Sequence, residues 1–442
     1  MAERRVVSAV RSALPEGTLA VGVGLLVNGV AAYGFLAVSA RALGAERYAP
    51  LGVLWTVVFL LGPGCFLPVE QEVSRALAER AANGQGGGPL VRRAAQLALV
   101  LLGILLVAGL ATNRLLLDHL FDGQALLLLG LALAMVGAAA GHLTRGTCSG
   151  QGRFRPYAIF LGGESSARLV MCVALAVIGV DTVGWYGVAI GVAPLIGVGL
   201  ALARERGLLV DGPPAGWREV SGKLLALLVG SILSFTLVNG GPVAVELLGS
   251  AADDAESGRF LNGLIVARVP LFLFQAVQAA LLPRLSGLVG LGQFDEFRAG
   301  LRRLLLVTIA LGSVATISAF AIGPEVVTTM FGAEFELSHR TLGLLAMSCA
   351  AYMLAVALAQ AVIALGGHRL VAASWALGVA AFVAGTAVSA NDLFLRVELG
   401  LVAGSAVAAV ALGIALVSRL RGGATLDKAG LLDALHELSL EP

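Results

Sequence analysis

Charged residues are scarce in this 442-residue chain: Asp, Glu, Lys and Arg make up 13% of it, about half of the roughly 25% usual in soluble domains. A soluble fold of this length could not cover its surface with so few. Cysteine is scarce too. Cys65, Cys148, Cys172 and Cys349 are scattered in or beside apolar stretches. They form no C-x-x-C and no metal-ligand spacing, so no metal is expected and they read as small buried residues. Segments of alternating polarity are missing, which excludes a membrane β-barrel. Long polar loops are missing as well. The longest run to about twenty residues and hold no Ser/His/Asp or metal constellation, which argues against an enzyme. The net charge of +2 makes no case for nucleic acid, and none is expected as a partner.

What is present is apolar sequence. Hydrophobic residues make up 58% of the chain and the mean hydropathy is +0.90. A spanning helix needs about 20 mostly apolar residues, and such stretches recur from Gly17 to Ser418. The expectation is an all-α polytopic membrane protein with about 12 transmembrane helices. Spans 1 to 6 fall at 17–40, 51–70, 94–111, 124–143, 157–179 and 184–203. Spans 7 to 12 fall at 224–248, 260–282, 304–322, 341–365, 370–389 and 399–418. The first run is too long for the 7–15-residue core of a signal peptide, so it counts as a span.

Lys and Arg set the orientation. With both termini in the cytoplasm, 22 of the 30 basic residues fall on the inner side and 6 on the outer, with Arg168 and Arg268 inside spans. That asymmetry fits the positive-inside rule and places the chain in the inner (cytoplasmic) membrane. The organisation expected is a cytoplasmic N-terminal segment (1–16), an N-lobe (17–203), a cytoplasmic linker (204–223), a C-lobe (224–418) and a cytoplasmic tail (419–442). In the tail, Leu431, Leu435 and Leu438 share one helical face, the pattern of a short amphipathic helix.

The lobes repeat. Ser74-Arg75-Ala76-Leu77 and Val91-Arg92-Arg93 follow span 2; Pro283-Arg284-Leu285-Ser286 and Leu301-Arg302-Arg303 follow span 8. Gly150-Gln151-Gly152-Arg153 after span 4 corresponds to Gly366-Gly367-His368-Arg369 after span 10. Six helices per half make the repeats parallel.

Between spans 1 and 2 the chain reads Arg41-Ala42-Leu43-Gly44-Ala45-Glu46-Arg47-Tyr48. This resembles the R-x-L-G-x-x-x-Y-G loop of polysaccharide flippases, a branch of the multidrug/oligosaccharidyl-lipid/polysaccharide exporter (MOP) superfamily, with Ala49 where the family has Gly. The Gly-x-x-Arg after spans 4 and 10 is similar to that family too. The resemblance implies two parallel six-helix lobes around a central cavity that opens alternately to either side. It implies a flippase that moves lipid-diphosphate-linked oligosaccharide or polysaccharide units from the cytoplasmic to the outer leaflet. The bilayer and the lipid-linked glycan are then its partners, with glycan-assembly enzymes as further candidates. No cofactor is expected; the coupling ion stays open between sodium and proton.

The candidate substrate-binding residues are the polar groups inside spans: Arg268, Arg168, Glu164, Gln275, Gln278 and Asn28. Arg268 lies about nine residues into span 8, roughly 13 Å deep. An arginine near the bilayer centre costs about 2.5–3.5 kcal/mol and should face water or a partner. A guanidinium can grip a phosphate with two parallel hydrogen bonds; the alternative is a salt bridge, for instance to Glu246. Arg168 stands four residues after Glu164, so the two meet on one helix face, as a packing pair or as a cavity pair that an anion opens. Gln275 and Gln278 share a face with Arg268. Pro63 and Pro270, at similar places in the repeats, suggest paired bends. Sugar hydroxyls would suit Asn28, His142, Asn239, Asn262, Gln275, Gln278 and Gln360, with interhelical hydrogen bonding the blander and preferred explanation for any single one.

Three rivals were weighed against this reading. A drug or cation antiporter of the same superfamily usually needs an intramembrane carboxylate, and span 1 holds Asn28 and no acid. A membrane-embedded glycan polymerase or ligase would need a catalytic loop. A major-facilitator transporter would carry a charged loop between its second and third helices, which is absent.

Overall fold

A computed structural model describes residues 18–217, 224–249, 256–271, 274, 293–388 and 392–438. Among these residues the regular elements are all helices: α1 (Thr18–Ala82), α2 (Gly88–Ala111), a short α3 (Asn113–His119), α4 (Ala125–Gly150), α5 (Phe154–Val177), α6 (Val183–Leu202), α7 (Leu224–Leu248), α8 (Glu256–Ala267), α9 (Phe294–Phe331), α10 (His339–Ala364), α11 (His368–Val388) and α12 (Leu393–Leu438). A 3-10 turn, Ala333–Phe335, joins α9 to α10.

Ten of these helices are long and apolar enough to cross a membrane. The first supplies two crossings. Its 62-residue stretch Ala20–Ala81 would reach about 93 Å as one rod, about three times the hydrocarbon thickness. The helix instead bends at Gly44, where φ 75° and ψ 163° leave the helical region. Only glycine takes that conformation without strain. Outward-facing side chains such as Leu110 (71% exposed) and Val177 (80% exposed) form a surface that suits hydrocarbon. The expected eighth span is interrupted. α8 stops at Ala267, Arg268 is a turn, and Pro270 follows. Pro270 has no N–H to give back to the preceding turn, and helical geometry resumes at 269–271. Gln275 and Gln278, further along that span, lie outside the described residues. In the tail, α12 continues without a break to Leu438.

The chain forms two compact units. One holds Met1–Val266 with Ile322–Ser338, the other Ala267–Ala321 with His339–Pro442. In the first unit, α1 packs on α4, α5 and α7, and α4 packs on α6. α4 and α6 meet backbone to backbone: a Cβ on Gly130 would sit 2.6 Å from the Gly187 carbonyl oxygen. Small residues let spanning helices approach this closely. In the second unit, α12 packs on α10 and α11.

The repeat seen in the sequence appears as a shared helix stop. After α4, Gly152 takes φ 70°; Arg153 N donates to Cys148 O and Gly152 N to Ser149 O. After α10, Gly366 takes φ 74°; Gly367 N donates to Val362 O and Gly366 N to Ile363 O. Both are the same left-handed cap. The geometry shifts the expected register by two residues: Gly152 matches Gly366, and Arg155 matches Arg369.

Candidate functional site

The buried charged and imidazole groups described in the first unit, Glu70, Glu72, Arg80, His142 and Arg168, lie on α1, α4 and α5. Two glycines one turn apart, Gly146 and Gly150, seat α4 on α1. A Cβ on Gly146 would lie 2.7 Å from the Glu70 carbonyl oxygen, and one on Gly150 would lie 2.7 Å from that of Ser74. The Ser149 hydroxyl donates to Ser74 Oγ at 3.0 Å. This approach delivers Glu70 of α1 to His142 and Arg145 of α4.

The result is a buried polar cluster. Arg145 Nη2 lies 2.5 Å from Glu70 Oε2, and His142 Nδ1 lies 2.8 Å from the same oxygen. Tyr157 of α5 donates its hydroxyl to Glu70 Oε1 at 3.2 Å. The Arg145 guanidinium lies over the rings of Tyr157 and Phe160, 5.9 and 5.5 Å from their centroids. Glu70 and His142 are each 7% exposed. Burial of an ion pair is tolerable only when the remaining lone pairs are also satisfied, and here both carboxylate oxygens of Glu70 have partners.

Two turns further along α5 stands Glu164, within electrostatic reach of Arg145. One turn beyond it, Arg168 Nη1 lies 3.4 Å from Glu164 Oε1. Arg168 is 2% exposed. Its guanidinium stacks 4.9 Å from the Trp55 ring centroid and 5.9 Å from that of Phe59, and its Nε has no hydrogen-bond partner among the described residues. Tyr157, Glu164 and Arg168 thus form a ladder of polar groups roughly 16 Å long on one helix.

The second unit holds two further groups. Arg268, at the interruption after α8, lies beside the Cys349 thiol of α10. Glu398 of α12 is fully buried, with Arg340 Nε 4.0 Å away and Thr341 beside it. At the start of α12, Arg340 Nη2 reaches Asp392 at 2.8 Å and Leu395 N donates to the same carboxylate. These bonds hold the Asp392 carboxyl below its ordinary value.

Of the residues picked from sequence, Glu164 and Arg168 come together, Asn28 is half-buried on α1, and Arg268 stands in the second unit. Three groups were not picked. The apolar run of span 4 ends at Leu143 and leaves Arg145 in a loop, whereas α4 runs to Gly150, so Arg145 is inside the helix and its side chain is 16% exposed. Glu70 ends the expected span 2 and Glu398 precedes the expected span 12, so neither is among the candidates. The available signal was the Gly146-x-x-x-Gly150 spacing, which marks close helix packing next to Arg145. The flippase-like segment turns out to clasp other elements. Arg41 donates to the carbonyls of Thr329 and Met330 in the last turn of α9. Ala45 N donates to Glu334, and the buried Tyr48 hydroxyl donates to Asn262 Oδ1 at 2.8 Å.

This architecture defines a class. The fold is that of MATE transporters of the MOP superfamily, an all-α membrane design of about 12 transmembrane helices in two lobes. A multidrug resistance MATE family transporter in its inward-facing conformation matches with a TM-score of 0.69 at 14% identity, over 90% of this chain and 95% of that one. The Vibrio cholerae MATE transporter VcmN matches with a TM-score of 0.65 at 16% identity, over 93% and 98%. No protein-family model matches the chain. "Uncharacterized protein Rv3630" of Mycobacterium tuberculosis is 26% identical over 379 residues, 82% of this chain and 84% of that protein. "Uncharacterized protein Mb3654" of Mycobacterium bovis is equally similar.

Proposed function

We propose that this chain is a multi-pass transporter of the cytoplasmic membrane, with both termini in the cytoplasm. It moves lipid-diphosphate-linked oligosaccharide or polysaccharide units to the outer leaflet by alternating access between two lobes, 17–203 and 224–418. The observation that carries the reading is the pair of arginines set among apolar spans, Arg168 buried within α5 and Arg268 at the turn after α8. Each costs free energy to bury, and a guanidinium is matched to a diphosphate. Asn28, Gln275 and Gln278 supply hydrogen bonds to sugar in this scheme.

A second reading, a drug or cation antiporter, is favoured by the fold shared with multidrug MATE transporters and by the buried carboxylates of Glu70 and Glu398. One experiment separates them. Under the flippase reading, Arg268→Ala abolishes glycan export at normal protein abundance, and Arg268→Lys restores little, because a point charge lacks the two-pronged geometry. Under the antiporter reading, Arg268→Ala leaves glycan export intact, and Glu398→Gln abolishes efflux of a cationic dye such as ethidium.

A further inference from the structure

The segment that follows α6 is tied to its neighbours through its backbone. Arg153 donates to the carbonyls of Arg206 and Gly207, and Gln151 to that of Leu208. Gly88 N donates to the carbonyl of Val210, and Arg80 to those of Pro213 and Pro214. So fixed, the segment cannot roll to bury the side chains it presents. Ala215 packs inward with Leu90, Val91 and Ala94 of α2. Leu209 and Val210 are each 55% exposed, and Trp217 is 49% exposed. Three large apolar side chains therefore stand on the surface of a segment that spans nothing.

Cations flank them. Arg92, near the start of α2, faces Asp211, the neighbour of Val210, at 3.6 Å. Arg93 lies over the Trp217 ring, 4.9 Å from its centroid. Arg204 and Arg206, both exposed, lead into the segment. Its two acids are Glu205 and Asp211. Glu205 is held by Arg153 at 2.8 Å. The Arg92–Asp211 pair is long and exposed on both sides; such a surface pair adds little and another anion can displace it. The patch is thus apolar and positive together.

Its position along α2 fixes what it meets. The outward apolar face of that helix begins at Leu99 and continues through Ile104, Val107 and Leu110. Arg93 stands roughly 9 Å before Leu99 along the axis, and the headgroup layer on each side of the hydrocarbon is roughly 5–8 Å deep. With Leu99 at the edge of the hydrocarbon, Arg92 and Arg93 stand at headgroup level.

We propose that Leu209, Val210 and Trp217 enter the bilayer interface and form, with Arg92 and Arg93, a binding site for an anionic phospholipid. The headgroup sits at the two guanidiniums and the acyl chains run along the apolar face. Tryptophan is enriched in that layer, arginine matches phosphate, and basic pockets at helix ends hold anionic headgroups. The ligand is a bulk lipid of the membrane, and the site does not depend on the transported substrate.

The test places the full-length chain in phosphatidylcholine nanodiscs that carry a minor share of brominated lipid, either phosphatidylglycerol or phosphatidylcholine, with no lipid-linked glycan present. Bromine quenches tryptophan on contact. Comparison with Trp217→Phe separates Trp217 from Trp55, Trp185 and Trp375. Brominated phosphatidylglycerol is expected to quench Trp217 about twofold more strongly than brominated phosphatidylcholine at equal share. Salt at about 0.5 M should remove that preference by screening. The double variant Arg92→Gln, Arg93→Gln should remove it too, with quenching by both lipids retained. The readout is the ratio between the lipids, so a shifted Trp217 ring does not imitate the effect. Equal quenching by the two lipids at low salt, no quenching by either, or a preference that survives the double variant would overturn the proposal. None of these outcomes bears on the flippase reading, which rests on Arg268 and glycan export.

Discussion

Arg168 is held almost without water. One carboxylate and two aromatic faces are its surroundings, and a cation over an aromatic ring gains about 2 kcal/mol when desolvated. Removing one member of a buried pair costs about 3–5 kcal/mol, whereas replacing both with apolar groups is often close to neutral. Glu164→Leu should therefore lower stability by about 3 kcal/mol, toward the bottom of that range because the Glu164 side chain is 17% exposed. The double variant with Arg168→Met should recover most of that loss. Thermal unfolding in detergent, run alongside glycan export, reads both. Recovered stability with lost export assigns the pair to the substrate; recovery of both assigns it to packing. This pair was legible in the sequence because its members share one helix at i and i+4. The Glu70 cluster was not, because its partners lie 72 and 75 positions apart and meet only through the register of α1 against α4. No local pattern encodes that register.

At the scale of the helix, that register depends on Gly146 and Gly150. A methyl group at Gly146 would meet the Glu70 carbonyl oxygen at 2.7 Å and its Cα at 3.0 Å. Neither is the end of a flexible side chain, so α1 would have to move. Overpacking of this kind costs about 1–3 kcal/mol. Gly146→Ala should lower the unfolding midpoint by shifting α1 at Glu70. Gly103 on α2 has nothing within 4 Å of its would-be Cβ. Gly103→Ala should leave the midpoint unchanged or raise it slightly, since alanine is the better helix former. Equal losses at both positions would mean that close packing of α1 on α4 does not govern the fold here. Helix existence was legible from apolar run length. The ends were not: α4 outruns its apolar stretch by seven residues, from Leu143 to Gly150, because Arg145 and Ser149 find partners on α1 and need no water. The kink at Gly44 was legible only as a turn between spans; the backbone keeps helical geometry on either side of it.

At the scale of the whole molecule, two sets of contacts sort the connections of the first unit into opposite ends. At one end, Arg80 donates to the carbonyls of Gly86 and Pro213. Gly88 N donates to Val210 O, Gln151 to Leu208 O, and Arg153 pairs with Glu205 at 2.8 Å. The α1–α2 connection, the α4–α5 connection and the segment after α6 are therefore on one side of the bilayer. At the other end, Arg47 beside the α1 kink pairs with Asp181 between α5 and α6. Asp122 and Gln124, before α4, line the same roughly 280 Å³ surface pocket. Arg80, Arg153, Arg204 and Arg206 fall at the first of these ends. Under the proposed function, in which clustered basic residues stay cytoplasmic, the linker lies inside. If the second half repeats the first with six crossings, the C-terminal segment returns to the same side. Reporter fusions after Ala203 and after Arg421 should both give a cytoplasmic signal. An external signal after Ala203 would contradict the sidedness drawn from the arginines; one after Arg421 alone would leave that standing and show that the second half crosses an odd number of times.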